Sequence, residues 1–549
     1  MTQGTMLLDE LRLAFSTVAT DDSLGEDPDS GDGEFGSDGH GGPRATAPAS
    51  TSGLGLGHGA LGIGVGESDA AAASDDDDDD DESGWAYDYG EYSEYQALGA
   101  VKSATIVLIA AAAAASVAGL LWLAGRGCGP GGCGRDGALR RTVLLVSLDG
   151  FRADYLERGL TPNIKRIADG GVRAEYLKPS FPSVTFPNHY TLVTGLYPES
   201  HGVVGNVYFD PERNESFSYA DPRKNGDGFW WDGGEPIWVT AERQGKVAAT
   251  CMWPGSEAPI RGIRPTFWLR YNGSLTIDDK INHVLAWLDL PAKQRPSFLS
   301  LYIPEVDGAG HTGGPFSSEV AAALRFVDDA IGRLFEQLRH RGIADTINIV
   351  IVSDHGMEET SRDRVVFLDD YIDVAETFNF GNGPIWSIYP SGDVDTTFEQ
   401  LSSGARKHGH FEVYRRAQMP EEFHFRLSPR IAPIILVPEI GWSVVESRVG
   451  YDSAHPPFPR GMHGYNNSDE SMRALFVAHG GAFRQTLGET SVVPAFPNVE
   501  LHQLLATLMG IRPAAHQNGT EDWLCAFSRK WLRPEFERCR SSGQGYIAE

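Results

Sequence analysis

Two Asp residues follow apolar runs that are typical of buried strands. Asp149 ends the run "TVLLVSLDG" at 142–150, and Asp354 ends the run in "INIVIVSDHGM" at 347–357, where His355 follows directly. A single Asp in this position is more often a helix cap or a turn former. The two together are harder to explain in that way, because a glycine near each lets the chain turn so that neighbouring side chains converge. The pattern therefore indicates a shared site.

Two further segments carry side chains of the same kinds. "PEVDGAGHTGGP" places Asp307 and His311 four residues apart in a Gly-rich loop, and "PRGMHGYNN" places His463 among glycines. Carboxylate and imidazole ligands suit zinc, and two neighbouring zinc ions could be held by Asp, His and one hydroxyl. Two cations about 4 Å apart neutralise the charge of a phosphate ester, and one of them lowers the pKa of a bound hydroxyl. These residues therefore predict phosphoryl chemistry.

Thr185 is the candidate hydroxyl. It lies in "KPSFPSVTFPNHYTLVTG" at 178–195, a nearly uncharged stretch with three prolines, which predicts a stiff turn. Prolines also make rigid connections without any chemistry, and a lone Thr favours that interpretation. With a metal site nearby, however, rigidity has a purpose, because a nucleophile misplaced by about 1 Å can lose roughly a hundredfold in rate.

The elements that must position these residues are those of an α/β domain. The two apolar runs suit strands buried on both faces of a parallel sheet. Between them, apolar residues recur at helical spacing until Gly342 ends the helix; these are Val320, Leu324, Val327, Ile331, Leu334 and Leu338. The order of strand, long excursion, helix and strand predicts a doubly wound, mostly parallel sheet, with ligands beyond the carboxyl ends of its strands.

Eight motifs, taken in their order along the chain, together resemble those of one known family. They are "VSLDGFRADYL", "TPNIKRIADGGV", "PSFPSVTFPNHYTLVTGLYPESHGVVGN", "GEPIWVTAE", "WPGSE", "GHTGGPFSSEV", "VSDHGM" and "HGYNN". From about residue 142 to about residue 525 the chain resembles the nucleotide pyrophosphatase/phosphodiesterase family of the alkaline phosphatase superfamily. The resemblance implies hydrolysis of nucleoside triphosphates, dinucleotides and related phosphodiesters to nucleoside 5'-monophosphates.

The resemblance also implies roles for individual residues. One Zn²⁺ would be held by Asp149, Thr185, Asp354 and His355, and a second by Asp307, His311 and His463. Thr185 would form a covalent nucleotidyl intermediate, and Asn206 would donate to a phosphate oxygen. Phe186 and Tyr271 would sandwich the base, which predicts tolerance of different bases, although core packing explains Tyr271 equally well. Lys224 would meet a distal phosphate.

Other functions stay open on the sequence alone. A phosphodiesterase for choline-bearing lipids could use the same metal site, although "GEPIW" and the pair Phe186 and Tyr271 favour nucleotides. A membrane ectodomain with an inactive site is the alternative outside enzymology. It is disfavoured because all seven ligand positions carry competent residues. The loop of Asp307 reads Asp-Gly-Ala-Gly-His where relatives often carry Ser after the Asp. We expect neither the small Cys-rich modules nor the nuclease-like domain of the better-known animal members.

The charge of the chain is concentrated at its N-terminal end. Residues 1–100 contain 23 Asp and Glu against two Arg, whereas the remaining 449 residues carry 52 acidic and 44 basic side chains. Few large apolar residues occur there, so we predict a disordered acidic tail over residues 1–102. No element concentrates Lys or Arg, which argues against nucleic-acid binding by a basic patch.

A membrane span is predicted over residues 103–125. The segment "SATIVLIAAAAAASVAGLLWLAG" has 23 uncharged residues, enough to cross about 30 Å of hydrocarbon as a helix; an Ala-rich buried helix is the alternative. Arg126, Arg135, Arg140 and Arg141 follow it while Lys102 precedes it, which by the positive-inside rule places the large C-terminal part in the cytoplasm.

Sequons and cysteines favour the opposite orientation. The sequons at Asn214, Asn272, Asn466 and Asn518 all follow the span, and five Cys are present, of which Cys525 and Cys539 could pair, as could Cys128 and Cys133. Both features are typical of an exported domain. We therefore predict a type II protein at the cell surface or vacuole, with a linker at 126–141, a catalytic domain at 142–525 and an extension at 526–549.

Overall fold

The two apolar runs predicted as buried strands are neighbours at the centre of one sheet. In the computed structural model, which describes residues 139–453, 458–484 and 491–537, Val143–Leu148 pairs in parallel with Asn348–Val352 on one side and with Phe298–Ile303 on the other. Every residue of these three strands is buried. The prediction of parallel strands covered on both faces is confirmed.

The described strands, in chain order, are β1 (Val143–Leu148), β2 (Val172–Ala174), β3 (Leu177–Lys178), β4 (Val207–Asp210), β5 (Glu215–Ser218), β6 (Ala248–Cys251), β7 (Phe267–Leu269), β8 (Phe298–Ile303), β9 (Asn348–Val352), β10 (Glu358–Glu359), β11 (Val365–Phe367), β12 (Thr377–Asn382), β13 (Ile385–Pro390), β14 (Phe411–Arg415), β15 (Ile434–Pro438), β16 (Ser443–Val445), β17 (Gly461–Met462), β18 (Phe476–Gly480), β19 (Ser491–Val493) and β20 (Phe496–Pro497).

The described helices are α1 (Pro162–Asp169), α2 (Thr185–Thr194), α3 (Pro198–His201), α4 (Pro222–Asn225), α5 (Ile237–Arg243), α6 (Ile277–Leu288), α7 (Glu305–Gly313), α8 (Ser318–His340), α9 (Val394–His408), α10 (Arg448–Ser453), α11 (Leu501–Met509) and α12 (Glu521–Trp531).

The central sheet has eight strands in the order β19-β2-β18-β9-β1-β8-β6-β7 among the described residues. Strand β18 is antiparallel to both of its neighbours, and the other pairings are parallel. The sheet is therefore mostly parallel, as predicted.

Helices cover both faces of this sheet. Side chains of β1 alternate between two apolar cores, with Val143 and Leu145 in one and Leu144 and Val146 in the other. The first core includes residues of α2, α5 and α11, and the second includes residues of α1, α6 and α8. Helices on both faces are what a doubly wound sheet requires.

Helix α8 confirms the periodicity argument. It begins after Ser317, whose side chain accepts a hydrogen bond from the Val320 amide, and it ends at His340 before Gly342, which has φ of +68°. All six apolar residues predicted to share its inner face are buried. The helix packs over the sheet on the side of the second core.

A smaller antiparallel sheet was not predicted. It has the order β12-β13-β15-β14. Its strands share a separate apolar core with helix α9, and this core includes Ile388, Leu401, Ile434 and Leu436. The turn between β12 and β13 reaches the candidate site described below.

The predicted tail of residues 1–102 and the predicted span of residues 103–125 lie outside the described residues. Of the helices that the structure describes, none is long and apolar enough to cross a membrane. Cys525 is disulfide-bonded and Cys251 is a free, buried cysteine, so the partner of Cys525 lies outside the described ranges. Its pairing with Cys539 stays a prediction.

Candidate active site

The carboxyl ends of three neighbouring parallel strands bring the predicted ligands together. Asp149 follows β1, Asp354 follows β9, and helix α7 with Asp307 follows β8. Gly150 has φ of +66°, and a Cβ on it would lie 2.9 Å from the Asp307 Cα. This glycine therefore lets the Asp149 turn approach α7 directly.

Helix α7 corrects one expectation. Asp307 and His311 were predicted in a Gly-rich loop, but Glu305–Gly313 is an α-helix. Four-residue spacing then puts both side chains on one face, one turn apart. Tertiary packing overrides the poor helix propensity of its glycines, since Gly310 packs so closely against Met357 that a Cβ would lie 2.7 Å from the Met357 Cε.

The first group of potential ligands comprises Asp149, Asp354 and His355. The Nε2 atom of His355 lies 3.4 Å from the Asp149 Oδ1 and 3.0 Å from the Asp354 Oδ2. The other ring nitrogen, Nδ1, donates to the Gly356 carbonyl at 2.9 Å. The His355 Nε2 therefore faces two carboxylate oxygens. Burial alone would lower the pKa of His355, but the carboxylate of Asp354 raises it, so the pocket favours positive charge at this point, as a bound cation would supply.

The second group is formed by Asp307, His311 and His463. His311 and His463 each donate through Nδ1 to a backbone carbonyl, of Gly461 and Ser183 respectively, at 2.9 and 3.0 Å. Their Nε2 atoms are 3.2 Å apart, and each lies 3.5 Å from an Asp307 carboxylate oxygen. When Nδ1 carries the proton that the backbone carbonyl accepts, Nε2 is the nitrogen with the lone pair, and in both rings it faces Asp307.

The two groups are adjacent. The rings of His355 and His463 stack with centroids 3.5 Å apart, and Asp307, His355 and His463 also form a cluster that could hold an ion. We assign Asp307 with His463 to one group and His355 to the other, because the His355 Nε2 contacts Asp149 and Asp354 at 3.0–3.4 Å. The described residues thus offer two adjacent groups of side chains that could hold metal.

Unpaired oxygens support this assignment. The atoms Asp149 Oδ1, Asp307 Oδ1 and Asp354 Oδ2 are buried without a hydrogen-bond partner in the described structure. A buried charged oxygen without a partner costs several kcal/mol. Since three such atoms occur in one pocket with imidazole nitrogens beside them, the residues fit bound metal ions.

The protonation of the site points the same way. Burial, together with the carboxylates of Asp354 and Asp307, raises the pKa of Asp149 well above its usual value. Burial alone would raise the pKa of Asp354 as well, but His355 and His189 hold it well below its usual value. Burial and the neighbouring imidazoles of His355 and His311 lower the pKa of His463, so its ring is neutral and able to bind a metal.

Thr185 lies beside the first group but not in a turn. Its Oγ1 is 3.3 Å from the His355 Nε2. Thr185 is the first residue of α2, after the extended Val184, so the prediction of a proline-braced turn applies only to the residues before it. Pro187 is tolerated because the first turn of a helix needs no amide donor from it. The positive end of the helix favours negative charge at this hydroxyl.

The side chain of Asn206 contacts the backbone directly after Thr185. Its Oδ1 accepts a hydrogen bond of 2.9 Å from the amide of Phe186. Because the Oδ1 atom is engaged, Nδ2 is the group that can donate a hydrogen bond to a ligand. The described structure shows no protein acceptor for it.

The three residues predicted to bind substrate differ in exposure and in the partners that they contact. Phe186 is half-buried with its ring 5.7 Å from that of Tyr219 and 6.0 Å from that of Trp231. Tyr271 is 37% exposed, and its ring centroid is 6.4 Å from that of Tyr302. Lys224 forms an ion pair of 2.8 Å with Glu215.

Tyr302 and His189 contact the site residues, although the sequence analysis assigned neither of them a role. The Tyr302 hydroxyl donates to the Asp149 Oδ2, and burial raises the pKa of Tyr302 so that it keeps its proton. His189 donates through Nδ1 to the Thr185 carbonyl at 2.9 Å, lies 3.3 Å from the Asp354 Oδ2, and contacts the Ser147 hydroxyl through Nε2 at 2.8 Å. The four-residue spacing of Thr185 and His189 was the available signal for the latter.

A mostly parallel α/β sheet with acidic and histidine ligands and a hydroxyl at its carboxyl edge defines the class of the protein as a hydrolase of the alkaline phosphatase type. Residues 143–466 match the model of the type I phosphodiesterase/nucleotide pyrophosphatase family, and the chain belongs to that family.

Relatives and solved structures agree with this assignment. The chain is 40% identical to an uncharacterised pyrophosphatase/phosphodiesterase of Schizosaccharomyces pombe over 73% of its own length and 84% of that protein. It is 39% identical to ectonucleotide pyrophosphatase/phosphodiesterase family member 3 of Bos taurus over 69% of its own length, but it spans only 43% of that relative. An inactive variant of murine ectonucleotide pyrophosphatase/phosphodiesterase 5 in complex with AMP superposes with a TM-score of 0.66 at 33% identity, covering 71% of this chain and 99% of the other.

Proposed function

We propose that this chain is a zinc-dependent hydrolase that cleaves nucleotide pyrophosphate and phosphodiester bonds and releases nucleoside 5'-monophosphates. One observation carries the proposal: the Thr185 hydroxyl lies 3.3 Å from the ring of His355, at the edge of two adjacent groups of Asp and His. The two ligand sets are Asp149, Thr185, Asp354 and His355, and Asp307, His311 and His463.

Nucleotides are the proposed substrates for two reasons. Relatives are named nucleotide pyrophosphatases and venom phosphodiesterases, and a related structure contains AMP. That related protein is an inactive variant in which a threonine is replaced by alanine, which supports a threonine nucleophile in this chain.

The two zinc ions, when bound, would supply positive charge against the phosphate oxygens and lower the pKa of hydroxyl ligands. The Thr185 Oγ attacks the α-phosphorus, so that a Thr185 O–P bond forms while the bond to pyrophosphate or to an alcohol breaks. Water then attacks the same phosphorus, the Thr185 O–P bond breaks, and the nucleoside monophosphate leaves. The hydrogen bond from His189 to the Thr185 carbonyl orients the residue that attacks.

Other residues bind and orient the substrate in this proposal. The Asn206 Nδ2 donates to a phosphate oxygen as charge builds on it, an interaction whose loss costs about 2.7–4 kcal/mol in comparable sites. Phe186 and Tyr271 stack on the base. Lys224 meets a distal phosphate after exchanging its ion pair with Glu215.

We propose an extracellular or lumenal location for the catalytic part, in a single-pass membrane protein. The support comes from the sequons, the disulfide-bonded Cys525 and the names of relatives that are ectoenzymes or venom proteins. Disulfides persist in oxidising compartments.

The first test replaces the nucleophile. Thr185→Ala should lower kcat on p-nitrophenyl thymidine 5'-monophosphate by at least about a thousandfold, while Thr185→Ser keeps a hydroxyl and retains more activity than Thr185→Ala. Elemental analysis should find zinc in both variants, and re-addition of zinc should restore chelated wild-type enzyme. Full hydrolysis by Thr185→Ala would refute the assignment of Thr185 as the nucleophile.

The substrate class is tested by comparing turnover of the nucleotide with that of lysophosphatidylcholine. Faster turnover of lysophosphatidylcholine would refute the proposal that nucleotides are the substrates.

A further inference from the structure

The turn between β12 and β13 connects the smaller sheet with the active site. It comprises Gly383 and Pro384 and follows Asn382, the last residue of β12, which is buried. None of these residues is a predicted ligand or substrate contact. Their neighbours are the segments that carry Asn206, Thr185 and His463.

Asn382 binds both backbone groups of the residue after Asn206. Its Oδ1 accepts from the Val207 amide at 3.0 Å, and its Nδ2 donates to the Val207 carbonyl at 2.7 Å. On the other side of Asn206, a Cβ on Gly205 would lie 2.6 Å from the Asn382 amide. The side chain of Asn382 thus hydrogen-bonds the residue after Asn206 and packs directly against the residue before it.

The rest of the turn contacts the other catalytic segments. A Cβ on Gly383 would lie 2.2 Å from the His463 carbonyl oxygen, and Gly464 packs against Pro384 and Val184 so that its Cβ would lie 2.9 and 3.0 Å from them. Val184 directly precedes Thr185. One turn therefore touches the chain beside a metal-type ligand, the nucleophile and Asn206.

We propose that Asn382 is a positioning residue that acts through Asn206. The Asn206 Oδ1 is already fixed by the Phe186 amide, so the orientation of its Nδ2 depends on where the backbone at 205–207 lies. A donor to a developing charge loses most of its effect when it is displaced by a fraction of its bond length. The inference rests on the proposed function, because it takes Asn206 as the donor to the phosphate.

The effect of Asn382 should appear in kcat more than in KM. Asn382→Ala should lower kcat on p-nitrophenyl thymidine 5'-monophosphate by about tenfold, with KM changed less than about threefold, because the interaction serves the transition state. Asn382→Ser keeps a small uncharged hydroxyl that can still hydrogen-bond a backbone group of Val207, so it should lose less. Asn379→Ala is the matched control: Asn379 lies on the same strand and donates to Thr377 instead, and its kcat should stay near that of wild type.

A double-mutant cycle separates this role from a general loss of structure. Asn206→Ala should cost about a hundredfold or more in kcat. If Asn382 acts through Asn206, Asn382→Ala should cost less than about threefold more in the Asn206→Ala background. If Asn382→Ala does not fold, the same cycle is run with Asn382→Ser.

The outcomes are distinguishable. A full tenfold loss in both backgrounds, or no loss in Asn382→Ala while Asn206→Ala is impaired, would overturn the positioning role and leave the proposed function intact. An Asn206→Ala enzyme with unchanged kcat would instead overturn the assigned role of Asn206, and the inference with it.

Discussion

At the scale of single residues, the site brings together Asp and His side chains whose ring nitrogens have defined partners. His311, His355 and His463 each use Nδ1 on a backbone carbonyl, so Nε2 is the nitrogen that faces the carboxylates. The convergence of these side chains was predictable, since Asp and His occur at strand ends and in short motifs. The role of Tyr302 was not predictable, because it reaches Asp149 through a contact between distant segments that no local pattern encodes. For His189 the sequence offered a weak signal, its four-residue spacing from Thr185.

His189 offers a test at this scale. In His189→Asn the amide nitrogen lies about where Nδ1 does and can still donate to the Thr185 carbonyl, whereas in His189→Gln the amide lies at the Ser147 end. We expect His189→Gln to lose about 10–100-fold in activity or metal affinity and His189→Asn to lose less, measured as kcat and as zinc retained during dialysis against a chelator.

The matched control for His189 is His502→Gln. This histidine is also fully buried and also contacts α2, where it donates to the Val193 carbonyl at 2.7 Å, at the far end of the helix from Thr185. Its kcat and zinc content should stay near wild type. Equal losses in the Asn and Gln variants of His189 would contradict the role of Nδ1.

At the scale of elements, local sequence failed where tertiary contacts dominate. Three glycines in Glu305–Gly313 predict a loop, yet Val306 and His311 are buried and the segment is helical. Thr185 similarly begins a helix that the nearby prolines obscure. By contrast β1, β9 and α8 were predictable, because their apolar periodicity and their end signals agree.

Helix α7 contains a matched pair of glycines for a stability test. Gly308 is exposed and a Cβ there would meet nothing within 4 Å, whereas a Cβ on Gly310 would meet Met357, which is fully buried. Gly308→Ala should therefore raise the free energy of unfolding by about 0.5–1 kcal/mol. Gly310→Ala should lower it by about 1–3 kcal/mol through overpacking. Urea denaturation measures both, and a stabilised Gly310→Ala would show that Met357 yields without cost.

At the scale of the whole molecule, the central sheet followed from sequence and the smaller sheet did not. Its strands β12 to β15 are as long as β1, β8 and β9, but β12, β13 and β14 are only partly buried and lack the continuous apolar runs of the central strands. Without such a run or a strict alternation, the sequence predicts a strand weakly and predicts its pairing hardly at all. The contribution of this sheet to the site through Asn382 was correspondingly invisible in the sequence.

Buried histidines make the stability of the whole molecule depend on pH. Burial lowers the pKa of His201 to about 3 and that of His502 to about 4, and each ring accepts a backbone amide, from Val203 at 3.1 Å and from Ala514 at 3.0 Å. Below pH about 6.5 these histidines bind protons in the unfolded chain but not in the folded one. Their contribution to the free energy of unfolding is therefore complete above that pH and falls as the pH drops toward 4.

Each of these two histidines should therefore remove about 1 kcal/mol from the free energy of unfolding between pH 6 and pH 5. His502→Gln, which cannot take up a proton, should show a curve of stability against pH that is shallower than wild type by that amount. Urea denaturation of both proteins at half-unit steps from pH 7.5 to 5 measures the difference, and loss of metal at low pH affects both alike. Parallel curves would mean that His502 is as easily protonated in the folded protein as in the unfolded chain.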